Sequence, residues 1–400
     1  MKILFVNYEY PPLGGGGGVM NAQIAQELAK RHDVTVLTSQ GLGLPRANVE
    51  NGVKVERVPV FFRKGQATAN LHSMLAFIPF AISAGKKLAR ANSYDVINTH
   101  FVLPTGPVGD ALSRFAGIPN VLTVHGGDLY DPSKFTSPHR HPLLRLWIRY
   151  LLRSADVVVG QSNNTLENVR HYYTPEIKGV RIPLGIFRPK DYSASRAQYG
   201  FAQDDILLVT VGRLIARKAV HQLIAMLSGL RTERAHLLVV GSGPAEDSLR
   251  EEARARGLEH RVHFMGYIEE AEKFRLLGIS DVYVSTAQHE GFCLAFLEAM
   301  ACKLPIISYD HGGHMDYLKD EVTGFVVPLN NLELFTHRCA RLIEEADLRQ
   351  RFGANNLDLV EDYYIDSCAS RYESEFYQAV AMKRHAHHVS WFQSSRPSTD

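Results

Sequence analysis

Cysteine is scarce: there are four in 400 residues, and none of Cys293, Cys302, Cys339 and Cys368 stands in a C-x-x-C pair or at zinc-ligand spacing. That scatter excludes a disulfide framework and predicts free thiols in a reducing cytoplasm. Long apolar runs are missing as well. None reaches the ~20 residues needed to cross a bilayer. The nearest stretch, 71–91, is interrupted at Pro79 and ends in Lys86, Lys87 and Arg90. The apolar start Met1-Lys-Ile-Leu-Phe-Val turns polar at Asn7, too early for the core of a signal peptide, so it predicts a first strand. A dominant charge sign is also absent. Lys and Arg number 44 against 42 Asp and Glu, and no basic run or interleaved aromatic stripe occurs, which excludes nucleic acid as a partner.

What is present describes a folded protein of about two domains, with 45% hydrophobic and 22% charged residues. Short apolar runs alternate with helical patterns: Ile3 to Asn7, Asp33 to Thr38, Val53 to Val60, Asp95 to His100, Asn120 to His125 and Ala155 to Gly160. The alternation restarts at Ile206 to Val211, Leu237 to Gly241, Arg261 to Gly266 and the run ending at Val284. This predicts α/β architecture with parallel sheets covered on both faces. Between the halves, Ile182-Pro-Leu-Gly-Ile-Phe-Arg-Pro189 predicts a linker over 183–200. The chain divides into domains at 1–187 and 188–370, a helix at 371–384 and a loose tail at 385–400. In that tail His385, His387 and His388 are read as solvated rather than metal-binding.

Four constellations carry chemistry. Ser285 to Leu318 runs from a strand end through the turn His289-Glu290-Gly291-Phe292 into a helix starting near Leu294. Free N–H groups at a helix start can hold a phosphate. Glu290 in the turn can then meet a sugar, and Glu298, over a helical turn further on, can accept from ribose hydroxyls; the alternative is two solvated glutamates. After the strand ending at Val211, Arg213 and Lys218 can converge on one diphosphate, though two cations near a turn are more often simply solvated. Gly14 to Gly18 follows the first strand and precedes a helix, which suits an anion or sugar site. It has neither the Lys-Ser/Thr of a Walker loop nor a clean G-x-G-x-x-G, so a plain surface loop stays open. His100 and His125 end strands, where open parallel sheets bind ligands. Asp128 either orients an acceptor hydroxyl or caps the next helix.

The run Glu290-Gly-Phe-Cys-Leu-Ala-Phe-Leu-Glu298-Ala-Met-Ala resembles the E-x7-E signature of retaining GT-B glycosyltransferases of family 4. The likeness continues through Leu304-Pro-Ile-Ile-Ser-Tyr-Asp310, Gly312-Gly313 and Gly324-Phe-Val-Val-Pro328. Gly212-Arg213 to Lys218-Ala219 resembles the family's G-R-x-x-x-x-K-G segment, and His125-Gly-Gly-Asp128 its strand-end histidine. Cys293 and Ala219 stand where the family usually has Gly, and Lys303 replaces a small residue. The resemblance implies two doubly wound Rossmann-like domains facing across a cleft, the first on the acceptor side, the second binding a nucleotide-sugar, with 371–384 crossing back to the first.

It further implies transfer of a hexose-type unit from a UDP- or GDP-sugar to a hydroxyl acceptor with retention. Catalytic roles fall to His125, Arg213, Lys218 and Glu290. Donor contacts fall to Gly16, Gly17, Gly241, Gly266, Tyr267, Gly291, Phe292, Cys293, Leu294 and Glu298, and His100 supports His125. No cofactor or metal is expected, and no D-x-D triplet occurs. Small-molecule, lipid-linked and polysaccharide acceptors all stay open. The 71–91 helix is either core-facing or a contact with anionic lipid at the inner membrane face. An NDP-sugar 2-epimerase and a non-catalytic sugar-nucleotide-binding protein remain as other readings.

Overall fold

A computed structural model describes all residues except 42, 62, 64–70, 132–134, 191 and 395–400, and the side chains of 386–394 are likewise not described. The chain separates into two compact units, Met1–Gly185 together with Ile365 onward, and Ile186–Tyr364.

The first unit runs β1 (Lys2–Val6), α1 (Gly16–Ala29), β2 (Asp33–Gln40), β3 (Ala47–Glu50), β4 (Val53–Pro59), α2 (Leu71–Ala91), β5 (Val96–His100), α3 (Gly106–Ala116), β6 (Asn120–Val124), α4 (Pro142–Ser154), β7 (Val157–Gly160), α5 (Asn163–Tyr172) and β8 (Gly179–Arg181). The strands form one sheet in the order β3-β4-β2-β1-β5-β6-β7-β8. All neighbours are parallel except β3 with β4. β5, β6 and β7 are buried at every position, because helices cover both faces and no strand residue meets water.

Sequence reading took 53–60 for the third strand, but β3 precedes it as an antiparallel edge. The turn between them is Asn51-Gly52, with φ of 48° and 83°, the left-handed pair that a tight hairpin requires. The predicted interruption at Pro79 is absent: α2 runs through it without a break. Its inner stripe of Ser73, Phe77, Ala81 and Gly85 is buried, whereas Leu71, Leu75 and Phe80 are exposed.

The second unit runs β9 (Ile206–Val211), α6 (Val220–Ser228), β10 (Ala235–Val240), α7 (Glu246–Ala255), β11 (Val262–Gly266), α8 (Glu270–Ile279), β12 (Val282–Ser285), α9 (Leu294–Ala301), β13 (Ile306–Tyr309), β14 (Gly324–Val327), α10 (Leu332–Glu344) and α11 (Ala346–Val360). Its sheet is wholly parallel, in the order β11-β10-β9-β12-β13-β14.

α12 (Ile365–Ser394) then returns to the first unit. It buries Cys368, Ala369, Tyr372, Phe376 and Ala379, a stripe at helical spacing, and Glu373 pairs with His32 at 2.6 Å and Arg31 at 2.9 Å. Residues 365–370, assigned from sequence to the second domain, thus belong to the first, and the expected loose tail from 385 is helical as far as Ser394.

Both sheets contain a point where strand order reverses, between β1 and β5 in one and between β9 and β12 in the other. Chains leaving the carboxyl ends of such strand pairs diverge, and the gap is where open α/β sheets receive ligands.

Close approach of β13 and β14 depends on Gly324. Its φ is +143°, and a Cβ there would lie 1.8 Å from the carbonyl oxygen of Ile306. Gly324→Ala should therefore destabilise the second unit by more than about 2 kcal/mol. Chemical denaturation of the two proteins measures this, and an unchanged midpoint would refute it.

Candidate active site

In the second unit, the site is built where β9 and β12 end. β9 leads through Gly212 and Arg213 into a 3-10 turn, Ala216–Lys218, and Ala219 at φ +48° redirects the chain into α6. β12 leads to Glu290, whose backbone bridges to Gly312 and whose carbonyl accepts from Gly313 N–H at 2.7 Å. The two segments meet in an ion pair, Lys218 Nζ to Glu290 Oε1 at 2.5 Å.

Arg217 faces the other carboxylate oxygen of Glu290 at 3.8 Å and also donates to the carbonyl of His289. Burial alone would raise the Glu290 carboxyl. Lys218 and Arg217 outweigh it, so Glu290 lies below its ordinary value and stays ionised. Burial likewise opposes the charge on Lys218, yet the ionised Glu290 beside it keeps its pKa above normal.

Arg213, expected beside Lys218, lines the same small recess as Gly212, Lys218 and Ser285 but is exposed. The second cation on Glu290 is Arg217, which sequence reasoning passed over although it adjoins Lys218.

α9 begins directly after this turn. Its N-cap is Cys293 at φ +67°, a left-handed conformation that costs a side-chain-bearing residue about 1 kcal/mol. Among the described residues no side-chain hydrogen bond caps the helix start; Phe296 N–H donates to the Cys293 carbonyl at 3.2 Å, which leaves the N–H groups of Leu294 and Ala295 to receive an oxygen anion. The turn is held from behind by Tyr317, whose hydroxyl donates to the carbonyls of Phe292 at 2.5 Å and Cys293 at 2.9 Å. Phe292 itself is buried against Tyr317. Desolvation pushes the Cys293 thiol up to about 12, so it is not a thiolate nucleophile at neutral pH.

Glu298 projects from the second turn of α9 and is met by Lys273 of α8 at 2.6 Å. Burial raises its carboxyl pKa despite that partner. Lys273 had no signal in the sequence, since it lies 25 residues away on another helix. Gly241 and Gly266 form a bridge at the ends of β10 and β11, and Tyr267 beside them is 85% exposed.

In the first unit, β1, β5 and β6 end together. The glycine run after β1 enters α1 at Gly16, and the Gly16 and Gly17 N–H groups have no partner among the described residues. The Gly15 N–H is taken by Glu9 at 3.2 Å, an anionic neighbour that the sequence reading did not anticipate. Space is open at Gly16. At Gly17 it is not: a Cβ would lie 2.6 Å from Cζ of Phe101, so glycine there is demanded by an aromatic ring of this chain.

Phe101 follows β5 at φ +68°, an outlier for a bulky residue, and its ring stacks on His125 with centroids 4.2 Å apart. His125 and His100 are in turn joined ring to ring, Nδ1 of His100 to Nε2 of His125 at 3.2 Å. Burial lowers both imidazoles, His125 to about 3, so both are neutral.

Asp128 neither caps a helix nor points away from the fold. Its Oδ1 accepts from the His125 N–H at 2.9 Å and its Oδ2 from the Val102 N–H at 2.7 Å. The residue is only partly covered, but its carboxyl group is desolvated and rises to about 6. It ties the loop after β6 to the loop after β5.

Residues 14–187 match the family described as Glycosyltransferase Family 4 and residues 191–358 that described as Glycosyl transferases group 1. The N-acetyl-alpha-D-glucosaminyl L-malate synthase of Bacillus anthracis is 24% identical over 383 residues, covering 93% of this chain and 96% of its own. The glycogen synthase of Mycobacterium tuberculosis (strain CDC 1551 / Oshkosh) is 30% identical over 336 residues, 78% of this chain and 79% of its own.

Among solved structures, sucrose-phosphate synthase from Thermosynechococcus elongatus superposes with a TM-score of 0.79 at 21% identity, over 96% of this chain and all of that one. Anabaena HepE in complex with UDP-glucose gives 0.71 at 20% identity, over 94% of this chain and all of that one. Two Rossmann-like units with these matches define the GT-B fold, and the chain belongs to the group 1, family 4 glycosyltransferases.

Proposed function

We propose that this glycosyltransferase moves a hexose-type unit from an NDP-sugar, UDP- or GDP-linked, to a hydroxyl acceptor, with retention at the anomeric carbon and without a metal. The observation that carries the proposal is the cluster of Lys218, Arg217 and Glu290 beside the uncapped start of α9, with Arg213 in the same recess. Three cations to one carboxylate leave net positive charge for a departing diphosphate, the group whose charge grows as the glycosidic bond breaks.

In this reading Lys218 and Arg213 stabilise the diphosphate, and the N–H groups from Gly291 to Leu294 receive its oxygens. Glu290, held ionised, accepts from donor sugar hydroxyls, and Glu298, oriented by Lys273, accepts from the ribose. Gly241, Gly266 and Tyr267 border the base. His125 meets the sugar, Gly16 and Gly17 offer N–H groups to donor or acceptor oxygens, and Asp128 holds the His125 loop. The names of the relatives, which include an N-acetylglucosaminyl-malate synthase and a protein solved with UDP-glucose, support a nucleotide-sugar donor and a sugar or small-molecule acceptor. Cytoplasmic location belongs to the same proposal, on four cysteines that form no disulfide.

The test is incubation with UDP- and GDP-sugars, with and without acceptor extract, in the presence of a chelator. Acceptor-dependent nucleotide release and an α-linked product from an α-linked donor are expected. A changed sugar without acceptor would replace the proposal with 2-epimerisation, and tight binding with no turnover would replace it with a non-catalytic role. Within it, Glu298→Ala should weaken donor binding about tenfold and Lys218→Ala should lower kcat about a hundredfold, since one loses a ground-state contact and the other a transition-state contact. Wild-type kinetics in both variants would remove the site assignment.

Contact with a membrane surface is proposed for the α2 side of the first unit. No helix among the described residues is long and apolar enough to cross a bilayer. α2 nevertheless exposes Leu71, Leu75 and Phe80 and carries Lys86, Lys87 and Arg90 without an acidic residue. Lys86 and Arg90 lie over Phe115 of α3, and Arg114 beside it lies over Tyr150 of α4, whose own sequence carries three arginines and no acid. Exposed apolar side chains set among cations suit the interface of an anionic bilayer. Flotation with phosphatidylglycerol vesicles should recover the protein, and Leu71→Glu/Leu75→Glu should abolish recovery. Equal recovery with neutral phosphatidylcholine, or none with either lipid, would count against the proposal.

A further inference from the structure

Four buried side chains at the β5–β6 junction form a chain of hydrogen bonds with one consistent proton inventory. Asn98, His100 and Thr123 are all 0% exposed, and His125 is 9% exposed. In the structure the Asn98 amide turns its Oδ1 to the Thr123 hydroxyl, at 3.4 Å, and its NH2 group to His100 Nε2, at 2.9 Å. An amide nitrogen only donates, so His100 Nε2 must offer its lone pair. A neutral imidazole then carries its single proton on Nδ1, and that atom faces His125 Nε2 at 3.2 Å. His125 Nε2 must accept in its turn, which leaves the His125 proton on Nδ1.

That outer nitrogen has no partner among the described residues and is not among the polar atoms sealed from solvent. The Phe101 ring, stacked 28° from parallel on His125, holds the imidazole plane. Neutrality is enforced by the surroundings. The nearby carboxylate, Asp128, accepts from two backbone N–H groups and from neither ring, and burial holds both imidazoles neutral.

We infer that Asn98 and His100 are positioning residues whose relay fixes His125 as the Nδ1–H tautomer, so that His125 donates a hydrogen bond to a ligand oxygen and does not act as a base. The ligand class is an oxygen acceptor such as a sugar hydroxyl or ring oxygen. A His125 lacking the relay would sample the commoner Nε2–H tautomer and present a lone pair to the same oxygen, which would repel a ring oxygen and force a hydroxyl to reverse its hydrogen bond. Only the identity of the ligand rests on the proposed glycosyl transfer; the tautomer itself does not.

The test is 15N NMR of the full chain labelled at histidine, without ligand. His100→Gln and His125→Gln spectra assign the two rings. Expected are two imidazoles with protonated Nδ1 and unprotonated Nε2 that do not change between pH 5.5 and 8. A His125 ring with unprotonated Nδ1, or one that titrates in that range, overturns the relay while leaving transfer untouched.

Asn98→Leu, which keeps the branched heavy-atom skeleton and removes the steering donor, should convert the His125 signal to a mixture of tautomers and lower turnover about tenfold in the donor assay. Retention of the single Nδ1–H signal in that variant would equally overturn the relay. Failure of the transfer assay with the expected wild-type tautomer would leave the relay standing and withdraw only the sugar as its ligand.

Discussion

The pairing of Lys218 with Glu290 is the contact on which the second unit's site depends. The two residues leave β9 and β12, the neighbouring strands at which the order of the sheet reverses, and their ion pair closes the gap that the reversal opens. A desolvated ion pair is weak evidence of stability, because taking both charges out of water costs nearly as much as their attraction returns. Breaking it by removing one partner leaves an uncompensated buried charge. The arrangement around it fits a functional reason for its presence: the Glu290 backbone is bridged to Gly312, the turn is propped by Tyr317, and Arg217 supplies a second cation. Glu290 is therefore immobile and ionised before any ligand arrives, which is the preorganisation that electrostatic catalysis requires.

The first unit meets the same topological problem with no ion pair at these strand ends among the described residues. Its reversal lies between β1 and β5, and the groups gathered there are free backbone N–H groups, a strained aromatic and two neutral imidazoles. Burial drives the imidazoles neutral, whereas in the second unit burial is overridden by opposite charges. The strand ends of the first unit thus offer fixed dipoles and those of the second a net positive field. The contrast follows from what each strand end carries: asparagine and histidines in one, lysine and arginines in the other.

Much of this was legible in the chain. Glu290, Glu298 and Lys218 stand at strand ends or early in helices, positions that the local pattern gives, while what singled them out from solvated charges was the family resemblance. The β3–β4 hairpin was also readable, since Asn51-Gly52 is a strong turn signal, but it was passed over in favour of a simple run of parallel strands. Pro79 misled in the opposite direction, because packing on α3 and the sheet sustains α2 through a residue that an isolated helix tolerates poorly. Arg217 lost to Arg213 because two arginines four residues apart differ only in which way the turn after β9 points them. Lys273 and Phe101 carried no local signal: one reaches Glu298 from another helix, and the other gains its role from the ring it stacks upon.

By itself the amino-acid order determined the alternation of strands and helices, the parallel sheets and the family signature, because these depend on residues near one another along the chain. Tertiary structure alone decided which cation meets Glu290, what holds Glu298, which ring crowds position 17, and that the first unit resumes already at Ile365. Each of those is a contact between segments far apart in sequence, whose geometry is set by the packing of helices on sheets and leaves no periodic trace in either segment.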